Sequence, residues 1–124
     1  MLLSSVLITS RLVFYSAIVV GCYLAFSPGG NSLHSYFNDK LMHAVGFFVM
    51  TVLAHLAHPQ TWRKWPVFGL IAFGLAIELV QGSLPYRSFS MWDWAADIFG
   101  ILLYLLVAQR PVSAILAKYK YGLG

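Results

Sequence analysis

The chain has 124 residues, of which 60% are hydrophobic and only 10% charged, with a mean hydropathy of +0.75; soluble domains average about a quarter charged. Disordered chains are polar and highly charged, so disorder is excluded; an ordinary soluble domain is all but excluded, because a core this small cannot hide so much apolar surface; and the lone Cys22 excludes a disulfide scaffold. The net charge of +4 comes from basic residues in short segments between apolar runs, which is the pattern of membrane topology and not of a nucleic-acid partner.

A membrane-crossing helix takes roughly 20 mainly apolar residues. Four runs come close, which predicts an all-α, polytopic bundle of four transmembrane helices, with residues 1–124 as a single membrane domain. The first run, 12–26, stops at Ser27-Pro28-Gly29-Gly30 and is short unless residues before Arg11 extend it. A retained span is expected there over a cleaved signal peptide, because no charged side chain precedes Arg11 and Pro28 would follow the cut. The second run, 41–57, stops at His58-Pro59. The third, 66–82, opens on Pro66, a residue suited to a first helical turn. The fourth, 91–108, is expected to stop at Gln109-Arg110-Pro111. Beyond it, a tail with Lys118, Tyr119, Lys120 and Tyr121 either lies along the membrane surface or frays. Glycines within the spans allow close helix approach.

With four spans, the N-terminus, the middle loop and the C-terminus share one face. That face holds Arg11, Arg63, Lys64, Arg110, Lys118 and Lys120, against Lys40 and Arg87 on the other. The asymmetry predicts both termini in the cytoplasm. Trp62 and Trp65 flank one end of the third span, and Trp92 and Trp94 the outer end of the fourth, as anchoring indoles do. His55 and His58 read as interfacial polar residues, and Cys22 as packing.

The acids carry the functional signal. Asp39, Glu78, Asp93 and Asp97 all fall near the outward side, and an acid in or near hydrocarbon usually has a partner or a task. Asp39 and His43 are four apart, Glu78 and Gln81 three apart, and Asp93 and Asp97 four apart, so each pair shares a helix face. With Lys40 and Arg87, these eight side chains come to a similar depth. Asp39 and Asp93 also suit helix N-termini as caps or first-turn acids, with Ser90 a competing cap. For Gln81 the plain alternative is an interhelical hydrogen bond, and for Glu78, Arg87 and Asp97 a structural ion-pair network. Four acids against two outward cations leave a negative surplus when His43 is neutral. A buried cluster meets such a surplus with a protonated carboxyl, a protonated His43, a bound cation or water.

The run Asp39-Lys40-Leu41-Met42-His43, then Glu78-Leu79-Val80-Gln81, Pro85-Tyr86-Arg87, Ser90, Asp93 and Gly100, resembles the VanZ-like family of small bacterial membrane proteins. The resemblance covers residues 39–100 and departs at Asp97, where the family pattern has Asn; an amide donates and accepts, whereas a carboxylate only accepts. It implies a multi-pass protein of the bacterial cytoplasmic membrane, an envelope role and a link to resistance against teicoplanin-type lipoglycopeptides. It implies no settled reaction.

Two readings of the pocket stand side by side. In the first, Asp39, Lys40, His43, Glu78, Gln81, Arg87, Asp93 and Asp97 form an outward pocket for a lipid or cell-wall precursor headgroup. Arg87 would grip phosphate or carboxylate, and the acids and Gln81 would meet hydroxyls or amines. In the second, the same pocket is an enzyme acting on a phosphorylated lipid, with His43 oriented by Asp39 as base and Glu78 as acid. No metal motif of accepted spacing is present, so no resident metal is expected. Mixed carboxylates with one histidine nevertheless keep a divalent cation in view. A transporter ranks below both, since no line of charge crosses the bilayer, and a bundle this small suits a homo-oligomer.

Overall fold

The computed structural model describes residues 2–28 and 36–121; His34, in the connection between the first and second apolar runs, lies outside the described residues. The described chain is helical and turn, without strands. Helix α1 runs Leu2–Phe26, α2 Tyr36–Ala57, α3 Trp65–Ser83 and α4 Met91–Leu103. A π-helical turn over Tyr104–Ala108 then leads into α5, Gln109–Tyr121. Four helical segments are long and apolar enough to cross a membrane: Ser4–Phe26, Asp39–Ala57, Trp65–Ser83 and Met91–Tyr119. The short first run is thus lengthened from its N-terminal side.

Local chemistry sets most boundaries. Pro66 sits in the first turn of α3, where a missing N–H removes no hydrogen bond. That helix ends as Leu84 turns extended, its N–H returning to the Gln81 carbonyl. Ser90 caps α4, its hydroxyl accepting from the Asp93 N–H.

The fourth helix departs from expectation. Gln109-Arg110-Pro111 does not stop it: the helix widens into the π-turn and continues to Tyr121. Proline in an α-helix removes one donor and presses its ring on the carbonyl four residues back. The wider turn bonds the Gln109 N–H to Tyr104, five residues back, and so changes the carbonyl register just ahead of Pro111. A continuous helix of roughly 45 Å results, longer than the roughly 30 Å of a hydrocarbon core, and α5 faces the N-terminal part of α1 and the end of α2 across a shared cavity.

Helix α2 is central, lying against α1 on one side and α4 on the other. Phe47, Met50, Ala54, Ala57, Leu70, Ile77, Ile101 and Tyr104 form the core. The outer surface is apolar, with Leu12, Val19, Tyr23, Phe68 and Leu106 exposed, whereas Thr51, His55, Glu78, Gln81, Asp93 and Asp97 are buried. A soluble bundle distributes these classes the other way round.

At the end of the bundle opposite the acids, His55 stacks on Trp62 at 4.3 Å between ring centroids and shares a 2.6 Å hydrogen bond with the Tyr104 hydroxyl. Both rings are almost wholly buried. His55 is therefore a core residue and not an interfacial one, and Trp62 is not a surface anchor. Trp94 is also half-buried, donating to the Ile71 carbonyl. Trp65 and Trp92 are the two indoles left exposed. His58 does sit at the periphery, half-buried and 3.0 Å from the Tyr15 hydroxyl.

Candidate functional site

The end of α1, the start of α2, the end of α3 and the start of α4 meet at one end of the bundle. Each contributes polar groups for a local reason. Asp39 falls in the first turn of α2 and Asp93 in the first turn of α4, where the unsatisfied N–H groups of a helix favour negative charge. After α3, the chain turns through Leu84–Arg87, with the Arg87 N–H bonded to the Leu84 carbonyl. It then runs extended into Ser90, whose backbone N–H donates to Glu78 Oε2 at 3.1 Å. Glu78 thereby ties the end of α3 to the beginning of α4.

His43 stands between two carboxylates of α4. Its Nδ1 is 2.8 Å from Asp97 Oδ1 and its Nε2 is 3.5 Å from Asp93 Oδ2. Lys40 pairs with Asp93 and lies 3.7 Å from Asp39. The orienting partners of His43 are thus Asp97 and Asp93; Asp39, expected in that role, is paired with Lys40 instead.

Arg87 also departs from expectation. Its guanidinium donates to the carbonyls of Leu24 and Ser27, at 3.2 and 2.9 Å. Gln81 donates to the Ala25 carbonyl at 2.8 Å, and the Tyr86 hydroxyl to the Phe26 carbonyl at 2.6 Å. These carbonyls at the C-terminal end of α1 lack intrahelical partners and carry partial negative charge. Three side chains from α3 and the turn after it therefore hold the end of α1 in place, which satisfies the interhelical reading of Gln81.

All eight expected residues come together: Lys40 pairs with Asp39 and Asp93, and the other seven fall in two layers. Asp39, His43, Gln81, Arg87 and Asp93, with Pro85, Tyr86 and Ser88, line an open cavity of about 450 Å³. Beneath it, Glu78 and Asp97 have no solvent exposure. Glu78 Oε1 and Asp97 Oδ2 are buried with no hydrogen-bond partner. Two sets of donors lie close enough to share a cation: Asp39, His43 and Asp93 at the mouth, and His43, Glu78 and Asp97 below, with one ligand atom from each residue within 4.8 Å of the others.

Two glycines make this geometry possible: Gly74, read from the sequence only as a small residue in a span, and Gly100, which belongs to the motif shared with the VanZ-like pattern. A Cβ on Gly74 would come within 2.7 Å of Asp97 Oδ2, and one on Gly100 would collide with the Ala44 backbone of α2. The first makes room for a carboxylate. The second lets α2 and α4 approach closely enough for His43 to reach Asp97. A separate cavity of about 530 Å³ at the opposite end, lined by Arg11, His55, His58 and Tyr119 among others, contains no acid.

No family model matches the chain, and no solved structure matches it. An uncharacterized protein of the fission yeast Schizosaccharomyces pombe is 29% identical over 118 residues, spanning 89% of this chain and 70% of the relative.

Proposed function

We propose that this chain is a multi-pass membrane protein, VanZ-like in character, that binds the polar headgroup of a lipid in the cavity at the acidic end of the bundle. One observation carries the reading: in a molecule with an apolar outer surface, a polar cavity of about 450 Å³ opens at the shared end of the helices. Lys40 is paired with acids and Arg87 with carbonyls, so the wall is rich in acceptors. That chemistry favours a headgroup carrying amines or hydroxyls over one read by its phosphate alone. The loop charges favour both termini in the cytoplasm and the cavity on the outer face. A relative in fission yeast means that the reading is made for a membrane site and does not require a bacterial envelope or lipoglycopeptide resistance.

Lipid extracted from the purified protein and identified by mass spectrometry tests the reading. One headgroup class should be enriched over the host membrane, and Asp39→Asn should abolish the enrichment; a retained lipid profile identical to bulk would refute it. The orientation is tested in a Cys22→Ser background, where Ser88→Cys should be labelled from outside the cell and Ser113→Cys only after permeabilisation.

A second reading, hydrolysis or transfer of a phosphorylated lipid at the same cavity, is favoured by His43 being held between Asp97 and Asp93, as an oriented base is. Turnover of such a lipid, lost in His43→Gln, would establish it.

A further inference from the structure

The lower layer of the acidic end has a charge problem that the surrounding residues do not solve. Glu78 and Asp97 are both fully buried, and burying an ionised carboxylate without a partner is strongly unfavourable. Their outward-facing cations are engaged elsewhere, Lys40 with Asp93 and Asp39, and Arg87 with the α1 carbonyls. The groups that do face them satisfy one oxygen each: the Ser90 N–H on Glu78 Oε2 and His43 Nδ1 on Asp97 Oδ1. The other two oxygens, Glu78 Oε1 and Asp97 Oδ2, have no hydrogen-bond partner.

We infer that His43, Glu78 and Asp97 form a binding site for one divalent metal ion of the Zn²⁺ or Mn²⁺ class. One donor atom from each residue lies within 4.8 Å of the others, close enough for a single ion to draw them together at ligand distances of about 2.0–2.2 Å. Two carboxylates and an imidazole are a mixed oxygen and nitrogen set, which suits these metals better than the all-oxygen ions. The set is drawn from α2, α3 and α4, so the ion would fasten three helices at one point. Three protein ligands would leave a position open, and one of the three, His43, also lines the cavity above. The lower triad is preferred to Asp39, His43 and Asp93 because Lys40 already neutralises Asp93 and Asp39 is half-exposed. The inference does not depend on the headgroup reading, since the ion is probed alone.

The test uses the full chain in detergent, stripped with chelator and free of added lipid. Mn²⁺ is followed by the electron paramagnetic resonance of the free ion, and Zn²⁺ by calorimetry. The expected result is one ion per chain, with proton release as ligands deprotonate. Affinity should fall by at least about 10–100-fold in each of Glu78→Gln and Asp97→Asn, while Asp39→Asn retains binding. Glu78→Gln keeps a side-chain acceptor for the Ser90 N–H, so it is the variant least prone to misfold, and circular dichroism checks each protein. The inference is overturned by a folded wild type that takes up neither ion. It is also overturned if Asp39→Asn abolishes binding while Glu78→Gln does not. A wild type that binds the metal but retains only a bulk lipid profile would fail the headgroup reading alone.

Discussion

Gly100→Ala is the sharpest test of how α2 and α4 are held together. A Cβ at this position would stand 3.0 Å from the Ala44 carbonyl carbon and 3.0 Å from the Phe48 nitrogen, and closer still to the Ala44 carbonyl oxygen. These are backbone atoms of a central helix, so no rotamer change relieves the clash. Non-bonded carbon contacts are comfortable at about 3.5–4.0 Å, so the helices must separate by roughly 0.5–1 Å. The same movement stretches the 2.8 Å bond between His43 and Asp97 toward the limit at which a hydrogen bond is lost. Overpacking of this kind costs about 1–3 kcal/mol, a shift of about 5–150-fold in the unfolding equilibrium. Gly69→Ala is the control, because a Cβ there meets nothing within 4 Å; it should be neutral or stabilising by about 0.5–1 kcal/mol. Reversible unfolding in mixed micelles gives both values. Equal stability of Gly100→Ala and wild type, or equal loss in Gly69→Ala, would refute close α2–α4 packing at Gly100.

Other consequences are as readily measured. Lys40→Met leaves Asp93, 6% exposed, without its cation and should destabilise the fold by about 3 kcal/mol; adding Asp93→Leu should recover part of the loss in the same unfolding assay. Arg87→Met removes the donors to the Leu24 and Ser27 carbonyls, so hydrogen exchange and proteolysis should accelerate at the C-terminal end of α1 while the α2–α4 contact is unaffected. Pro111→Ala should leave the long fourth helix intact and convert the π-turn toward regular α-helix, read as a change in cysteine crosslinking between α5 and its neighbours. His58 lies outside the spans, and partial burial together with the Arg11 charge holds its pKa below the ordinary 6.5. The folded state thus binds fewer protons than the unfolded one below that pH, and stability should fall as pH drops from about 6.5 toward the folded pKa. His58→Gln should flatten that slope; an unchanged slope would show that the imidazole is not the cause.

The sequence by itself determined the helical class and the four apolar segments, because hydropathy over some twenty residues is a local property that packing does not alter. It also determined which side chains gather at one end: helix periodicity and up-and-down connectivity put Asp39, His43, Glu78, Gln81, Asp93 and Asp97 at a common depth before any contact is known. Tertiary structure alone decided how those groups pair. Spacing within a helix suggested His43 with Asp39, but partners four residues apart are only neighbours, and the close approach of α4 at Gly100 offered His43 two better-placed carboxylates. Arg87 and Gln81 turned to the α1 carbonyls because a helix end leaves acceptors unsatisfied, a demand invisible until α1 and α3 lie side by side. The burial of Trp62 and His55, and the passage of the fourth helix through Pro111, were likewise settled by packing: an aromatic at a helix end anchors or stacks according to what faces it, and a proline breaks a helix only where the turn before it cannot widen.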